Sequence, residues 1–431
     1  MTTPRRRWLV YGLLFLLVTI NYMDRSALSV AATPISEEFG LSPGQMGVLL
    51  STFLWSYLIC LIPAGILTDR IGTRWTNAIS IAVWSAATVL AGLVRGFGAL
   101  VGARLLMGVG ESTTYPAAGR VVQEWAPASE RGRVVATYNS GAYAGPALGS
   151  LVTAALVTAY GWRTAFVVLG GVGFVWLAAW LVWFRDPAQA RWLGAEEREK
   201  ILRERGLTGT DAGTAGAPGV LELLRHRSMW GVALVQSAAV YTQYLFLTWL
   251  PGYLEQARGL SVLKSGAFTA IPYVVSMVLG IAIGVVVDRM LDGRARAAGR
   301  RRIVVAGFLL VSSVVLLTPF VASIVAVIAL ISVALTCVSS AVSMNLALLA
   351  DLLRSPRLAG RANSIAMVGG NAFGLAAPIV TGYVVQFTHG YTAAFVVAGV
   401  FLLLGTTVAL TMTRTPIGRA DPERRMPVAA A

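Results

Sequence analysis

Long apolar runs separated by shorter polar connections occupy the chain from about residue 8 to residue 412. Each run has about 20 residues, which is the length that an α-helix needs to cross a hydrocarbon core of roughly 30 Å. The pattern therefore predicts about twelve membrane-spanning helices. They lie near residues 8–32, 46–67, 76–95, 98–122, 137–159, 163–184, 228–254, 265–287, 302–322, 324–350, 362–387 and 391–412.

The composition agrees with a membrane protein. Hydrophobic residues make up 56% of the chain and charged residues 13%, whereas roughly a quarter of the residues are charged in a soluble globular domain. The net charge of +15 does not indicate a nucleic-acid partner, because the basic residues fall at alternate connections between the predicted spans. By the positive-inside rule, this asymmetry places both termini in the cytoplasm. We expect an all-α, multi-pass protein of a bacterial inner (plasma) membrane.

The sequence offers little for an enzyme or a membrane sensor. It contains no nucleotide-binding loop and no appended signalling domain, and two cysteines and two histidines are too few for a plausible metal cluster. We therefore expect a carrier that is not an enzyme, works as a monomer in the bilayer and uses no metal or cofactor.

A long polar connection divides the predicted spans into two sets of six, and the two sets resemble each other. Three short motifs recur in the same order in both halves, which indicates an internal repeat. They are GILTDR from Gly65 with its counterpart ending at Asp288-Arg289, Gly132-Arg133 with Gly360-Arg361, and GWRTAFVVLGG from Gly161 with GYTAAFVVAG from Gly390. We predict an N-terminal six-helix bundle at 1–184, a cytoplasmic interdomain loop at 185–227, and a C-terminal six-helix bundle with a cytoplasmic tail at 228–431.

The motif GILTDRIGTR, from Gly65 to Arg74, resembles the cytoplasmic signature of the major facilitator superfamily, and the resemblance covers almost the whole chain. It implies two six-helix bundles with a substrate path between them. It also implies that Asp69 and Arg70, with the repeat residues Asp288 and Arg289, lock and release the cytoplasmic face. The alternative is that these charges only fix the topology.

Four charged residues fall deep inside predicted spans, near the bilayer centre, where a charge costs about 2.5–3.5 kcal/mol on insertion scales. Asp24 and Arg25 lie in the first span, and Arg104 and Glu111 lie in the fourth. Their charges sum to zero, so they could be two ion pairs that only hold helices together. We favour a functional role, because an arginine fork fits a carboxylate and a buried carboxylate can take up a proton.

Several segments resemble the anion:cation symporter family, which includes bacterial hexuronate, aldonate and aldarate carriers and vesicular organic-anion transporters. They are NYMDRSALSVA at Asn21–Ala31, Arg104 with GVGESTTYP at Gly108–Pro116, EWAPASERGR at Glu124–Arg133, and LFLTWLPGYL at Leu245–Leu254. The resemblance implies proton-coupled uptake of a small organic anion. It implies that Tyr22 and Arg25 contact the substrate and that Asp24 and Glu111 carry the coupling protons, with Arg104 placed to bind substrate and tune Glu111.

Weaker substrate-binding candidates are Tyr57 and Tyr244, whose hydroxyls suit a sugar acid, and Asn371, which follows two glycines. Packing within a bundle is the ordinary role of such residues. Sugar-acid carriers of the resembled family often have a glutamine in the fifth span, where this chain has Ala142. An aromatic or other monocarboxylate substrate therefore remains an alternative.

A second alternative comes from the small residues between Gly141 and Gly149, which resemble the fifth-span motif of drug/proton antiporters. Small residues at this spacing also serve close helix packing. The first span has Asp24-Arg25 in place of the antiporters' proline motif. The favoured prediction is therefore proton-coupled symport of a small organic anion, a sugar acid such as a hexuronate, aldonate or aldarate.

Overall fold

A computed structural model describes residues 6–205, 220–291, 299–355 and 358–418. Within these ranges the chain is helical, with one isolated β-bridge between Leu353 and Ile417. Eight of the described helices are long and apolar enough to cross a membrane. The predicted linker at 206–219, the tail beyond residue 418 and the side chain of Asp288 lie outside the described part.

The helices of the N-terminal half follow the predicted spans. Two long helical stretches each contain two spans, and a kink separates the spans at a glycine with non-helical backbone angles and positive φ, 77° at Gly72 and 81° at Gly161. Glycine adopts this conformation without steric cost because it has no Cβ. The helices are α1 Trp8–Val30, α2 Ala32–Phe39, α3 Pro43–Leu93, α4 Phe97–Glu111, α5 Thr114–Trp125, α6 Arg131–Trp183 and α7 Ala195–Arg205.

The later part of the chain forms one helix for each predicted span. The ninth span ends in a 3-10 segment, Ser313–Phe320, which follows α11 directly. The helices are α8 Val220–Leu224, α9 Arg227–Gln256, α10 Val262–Met290, α11 Arg300–Ser312, α12 Ile324–Leu352, α13 Ala359–Thr388 and α14 Thr392–Met412. Every predicted span thus coincides with a helix, with half of a bent helix or with two consecutive helical segments, and the all-α fold is confirmed.

Contacts group the described residues into two units. Unit 1 contains the described part of residues 1–210 together with Leu247–Val274 and Pro378–Phe387, and unit 2 contains the rest. The core of unit 1 is built from large aromatic and aliphatic side chains, among them the buried rings of Trp84, Trp125 and Trp180. The division into the bundles 1–184 and 228–431 stays a prediction.

The N-terminus of α1 is joined to α7 in unit 1. Arg7 pairs with Glu130 at 2.8 Å and with Glu197 at 2.9 Å, and its hydrogen bond with Glu130 raises the pKa of Arg7. Ile201 of α7 is buried in the same core as α1. The beginning of the predicted interdomain loop is therefore packed against the first helices.

Two glycines in unit 1 allow α3 and α13 to approach closely. A Cβ at Gly47 would collide with the carbonyl oxygen of Pro378, and one at Gly382 would collide with the carbonyl oxygen of Pro43. The backbone N–H of Gly44 donates to Oε1 of Gln386 at 3.1 Å. The start of α3 is thus in contact with the end of α13.

Candidate functional site

The charged residues predicted inside the first and fourth spans meet in the interior of unit 1. Nε of Arg25 on α1 donates to Oε2 of Glu111 at the end of α4, at 2.8 Å, and the two side chains are 2% and 0% exposed. Two charges buried this deeply are costly to desolvate, so the pair depends on its close geometry. Arg25, rather than Arg104, is the hydrogen-bonded partner of Glu111.

Aromatic rings surround the guanidinium of Arg25. Its Cζ lies 4.7 Å from the ring centroid of Tyr22, 4.9 Å from that of Phe53 and 5.2 Å from that of Tyr57. At these distances the negative face of an aromatic ring attracts a cation. The structure thus brings together three predicted substrate residues, Tyr22, Arg25 and Tyr57. It adds Phe53, which the sequence did not single out because it lies in an apolar run.

Arg104 is buried in the same region but has a different set of contacts. Its Nη1 donates to Sδ of Met107 at 2.9 Å, and its Cζ lies 5.1 Å from the centroid of the Phe53 ring. In the described residues, no carboxylate accepts a hydrogen bond from Arg104. It therefore lies near Glu111 as a cation without forming an ion pair with it.

Asp24 is the least satisfied charged residue of the site. Neither of its carboxylate oxygens has a hydrogen-bond partner within the described part of the chain, and the same is true of the Asn21 amide and of Oε1 of Glu111. Asp24 is 2% exposed. An ionised carboxylate in such surroundings is expensive to bury, whereas a protonated one carries no charge.

The position of Glu111 depends on tight packing between α3 and α4. A Cβ at Gly108 would collide with the carbonyl oxygen of Phe53, and Ser56 Oγ donates to the carbonyl oxygen of Leu105 at 2.7 Å. Ser112 and Thr113 form a two-residue turn between α4 and α5, and their backbone angles remain in the right-handed helical region. Glu111 therefore ends a helical segment that α3 holds from the side.

Tyr115, on α5, extends the site toward the predicted cytoplasmic end. Its hydroxyl donates to the hydroxyl of Tyr22 at 3.4 Å. Tyr115 also lines a cavity of about 530 Å³ that reaches Asp69, Arg120 and Glu124. It lies within the motif GVGESTTYP and four residues after Glu111, so its spacing was a signal that could have identified it.

The predicted gating residue Asp69 pairs with Arg120 of α5, a partner that the sequence did not single out. Nε of Arg120 also donates to Oε1 of Glu124 at 3.2 Å, and Thr73 Oγ1 donates to Oε2 of Glu124 at 2.8 Å. Arg70 and Arg289 are exposed. The charged cluster at this end of unit 1 is therefore Asp69, Arg120 and Glu124.

The remaining predicted substrate residues, Tyr244 and Asn371, belong to unit 2, on α9 and α13. A Cβ at Gly374 would lie 2.7 Å from Cδ2 of the Tyr244 ring, so the two helices are close at this point. Nδ2 of Asn371 donates to the carbonyl oxygen of Met367 at 2.9 Å. Both residues therefore lie on neighbouring helices of one unit.

The glycines that resembled an antiporter motif pack against α1. A Cβ at Gly141 would lie 2.8 Å from the carbonyl oxygen of Phe15, and one at Gly145 would lie 2.6 Å from that of Thr19. Small residues are needed here because the two backbones approach closely. The motif accounts for the placement of the helix that carries Tyr22 and Arg25.

Comparison with known proteins identifies the family. A family model described as Major Facilitator Superfamily matches residues 14–299 and 293–430. The chain belongs to the major facilitator superfamily. A solved bacterial homologue of the human lysosomal transporter Spinster, in an inward-facing and unoccupied conformation, has the same fold, with a TM-score of 0.78 over 96% of this chain and 98% of that one, at 18% identity.

Sequence relatives within the superfamily include carriers of organic acids. The D-galactonate transporter of Escherichia coli O6:H1 is 32% identical over 408 residues, which is 93% of this chain and 94% of that protein. The probable galactarate/D-glucarate transporter of Bacillus subtilis is 31% identical over 443 aligned residues, 98% and 96% of the two chains. The probable sulfoacetate transporter of Cupriavidus necator is 32% identical over 413 residues, 94% of each.

Membership of the major facilitator superfamily confirms two predictions: the chain is a multi-pass membrane transporter of a bacterial family, and it is not an enzyme. Several relatives are carriers or probable carriers of small organic acid anions. The orientation of the termini and the monomeric state stay predictions.

Proposed function

We propose that this transporter takes up a small organic anion, a sugar acid such as a hexuronate, aldonate or aldarate, together with protons. The observation that carries the proposal is the buried ion pair between Arg25 and Glu111, next to the unpartnered carboxylate of Asp24. The sugar-acid relatives support the choice of substrate class.

Arg25 is the proposed site for the substrate carboxylate. A guanidinium offers a planar fork of donors that fits a carboxylate in two-point contact. In the described state, Nε of that fork is used by Glu111. A substrate carboxylate therefore competes with Glu111 for Arg25, and protonation of Glu111 removes the competitor.

Asp24 is the proposed second proton site. The four charges of Asp24, Arg25, Arg104 and Glu111 sum to zero when all are ionised, so each proton taken up leaves one unit of positive charge to balance an entering anion. Burial of uncompensated charge is costly. Loading of protons and loading of the anion are therefore favourable together and unfavourable separately.

Transport in this scheme is alternating access to a site between the repeats. The contact of Gly47 with Pro378 and the contact of Asp69 with Arg120 lie at different ends of the predicted spans. We propose that the first contact opens to admit substrate from outside and that the Asp69 cluster governs opening toward the cytoplasm.

The aromatic lining supports a second candidate substrate. Tyr22, Phe53 and Tyr57 surround Arg25, and the chain has Ala142 where sugar-acid carriers of the resembled family often have a glutamine. Rings and a methyl group suit an aromatic or other less hydroxylated monocarboxylate. Drug/proton antiport receives no support of this kind, because its glycine motif is explained by packing against α1.

Uptake into proteoliposomes tests the proposal. Radiolabelled D-galactonate, D-glucuronate, D-glucarate and benzoate are supplied outside, with and without an inward proton gradient. We expect at least one acid to accumulate only with the gradient, Glu111→Gln to lose this accumulation, and the exposed control Glu199→Gln to retain it. Gradient-driven uptake that is undiminished in Glu111→Gln would refute the coupling role.

A further inference from the structure

One aromatic ring is shared by the two buried arginines of the site. The Phe53 centroid lies 4.9 Å from Cζ of Arg25 and 5.1 Å from Cζ of Arg104. Phe53 is 1% exposed. It belongs to α3, whereas the arginines belong to α1 and α4, so a third helix supplies the surface against which both cations lie.

The backbone around Phe53 fixes the ring at this level. The close approach of Gly108 to the Phe53 carbonyl leaves no space for a Cβ, and Ser56, one turn later, donates to the backbone of α4. A ring held by such packing is preorganised, so the guanidiniums that contact it lose less freedom on binding an anion.

The two arginines use the ring differently. Arg25 has a carboxylate partner in Glu111, whereas Arg104 donates a hydrogen bond to the sulfur of Met107. Two like charges repel strongly in an interior of low dielectric. An aromatic ring that attracts both cations offsets part of this repulsion. Arg25 and Arg104 can then lie against the same ring while each keeps its own hydrogen-bond partner.

We propose that Phe53 is a positioning residue: its ring keeps Arg25 directed at the substrate carboxylate and keeps Arg104 from taking Glu111 as its partner. The substrate role of Arg25 in this inference rests on the proposed function. Without the ring, Arg104 is free to hydrogen-bond Glu111 or Asp24, and Arg25 loses one of the three rings that hold it.

Arginine labelling tests the position of the guanidiniums without any substrate. Purified full-length protein is treated with phenylglyoxal, and modification of Arg25 and Arg104 is followed by peptide mass spectrometry relative to the exposed Arg289. We expect slow labelling in the wild type and in Phe53→Tyr, which keeps the ring. Loss of a buried cation–π contact predicts labelling about tenfold faster in Phe53→Leu and Phe53→Met.

Phe166→Leu is the matched control, because Phe166 is also 1% exposed but packs against Trp162, away from the arginines. Equal labelling rates in Phe53→Leu and Phe166→Leu would overturn the proposal, since a general loosening of the core would then explain both. If Phe53→Leu does not yield folded protein, Phe53→Met supplies the same comparison.

Counterflow of D-galactonate then tests the consequence for transport. We expect Phe53→Leu to raise KM about tenfold with kcat within about twofold of wild type, and Phe53→Tyr to restore KM. An unchanged KM in Phe53→Leu would contradict positioning. Wild-type protein that carries none of the tested acids but shows the labelling difference would count against the proposed function and leave the positioning role supported.

Discussion

Arg25 on α1 is hydrogen-bonded to Glu111 on α4 and not to Asp24, its neighbour in sequence. Adjacent residues on a helix point in different directions, so the side chains of Asp24 and Arg25 do not face each other. The pair links two helices across the interior of unit 1, and the neighbouring carboxylate is left without a donor. Several expectations follow from this asymmetry.

Replacing Arg25 alone is expected to lower the stability of the folded protein more than replacing Arg25 and Glu111 together. Arg25→Ala leaves Glu111 as a buried charge without its partner, a change that typically costs about 3–5 kcal/mol. The double variant Arg25→Ala/Glu111→Gln is expected to unfold at a higher temperature than Arg25→Ala. Thermal unfolding of the purified variants at neutral pH checks this order, and a double variant that is less stable than both single variants would contradict it.

Tyr115→Phe is expected to weaken substrate binding moderately. It removes the hydroxyl that donates to Tyr22, and a hydrogen bond contributes about 0.5–1.5 kcal/mol net. KM for the transported acid should rise by roughly two- to tenfold. Tyr160→Phe is the control, because Tyr160 is exposed; the same change in KM for both variants would show that Tyr115 has no special role.

Asp69→Asn is expected to slow transport and to leave substrate binding intact. The substitution removes the charge that pairs with Arg120, in a cluster separate from Arg25 and Glu111. A thermal-shift titration measures binding and proteoliposome uptake measures the rate. Glu199→Gln, which removes the charge of an exposed carboxylate, should change neither. Loss of ligand binding in Asp69→Asn would place Asp69 in the binding site instead.

Glu38 on the short helix α2 gives an expectation about pH. Hydrogen bonds from Arg163 and then Trp162 hold the pKa of Glu38 below its ordinary value of 4.5. A carboxylate with a lowered pKa stabilises the fold above its ordinary pKa, and this contribution is lost as the pH falls through the lowered value.

The measurement compares the melting temperatures of wild type and Glu38→Gln across pH. Wild type should be the more stable above about pH 4.5, and the difference should shrink at lower pH, because both side chains are then neutral. The effect should be small, since Glu38 and Arg163 are partly exposed. A difference that grows as the pH falls would contradict the expectation.

Gly145→Ala is expected to destabilise the protein and to disturb the substrate site. A Cβ there would lie 2.5 Å from Cβ of Tyr22, so α1 must shift. Overpacking of this kind typically costs about 1–3 kcal/mol. Gly171→Ala is the matched control, because its Cβ would meet nothing within 4 Å, and alanine is the better helix former. Equal melting temperatures for the two variants would exclude the close contact.

The apolar runs were enough to predict the helices, because a span of the right length and hydropathy is a local property of the chain. The boundaries inside the two long helical stretches were readable as well. The sequence predicted separate spans on either side of Gly72 and Gly161, and in the structure the non-helical backbone angles of each glycine separate two helices.

The charged residues of the site were also readable from the sequence, since a charge inside an apolar span is conspicuous. Their pairing was not. Arg104 and Glu111 share one span, yet Glu111 is paired with Arg25, 86 residues away. Phe53 gave little signal, because an aromatic residue in an apolar span is ordinary, whereas the position of Tyr115 four residues after Glu111 was a signal that the prediction did not use.

By itself, then, the sequence determined which segments lie in the membrane, which charges lie among them and which family motifs they carry. The tertiary structure decided that Arg25 holds Glu111, that Phe53 contacts both arginines and that Asp69 pairs with Arg120. The physical reason is that these contacts depend on how α1, α3, α4 and α5 are rotated and spaced relative to one another. That arrangement is fixed by the packing of glycines against the backbone of segments that are distant in sequence.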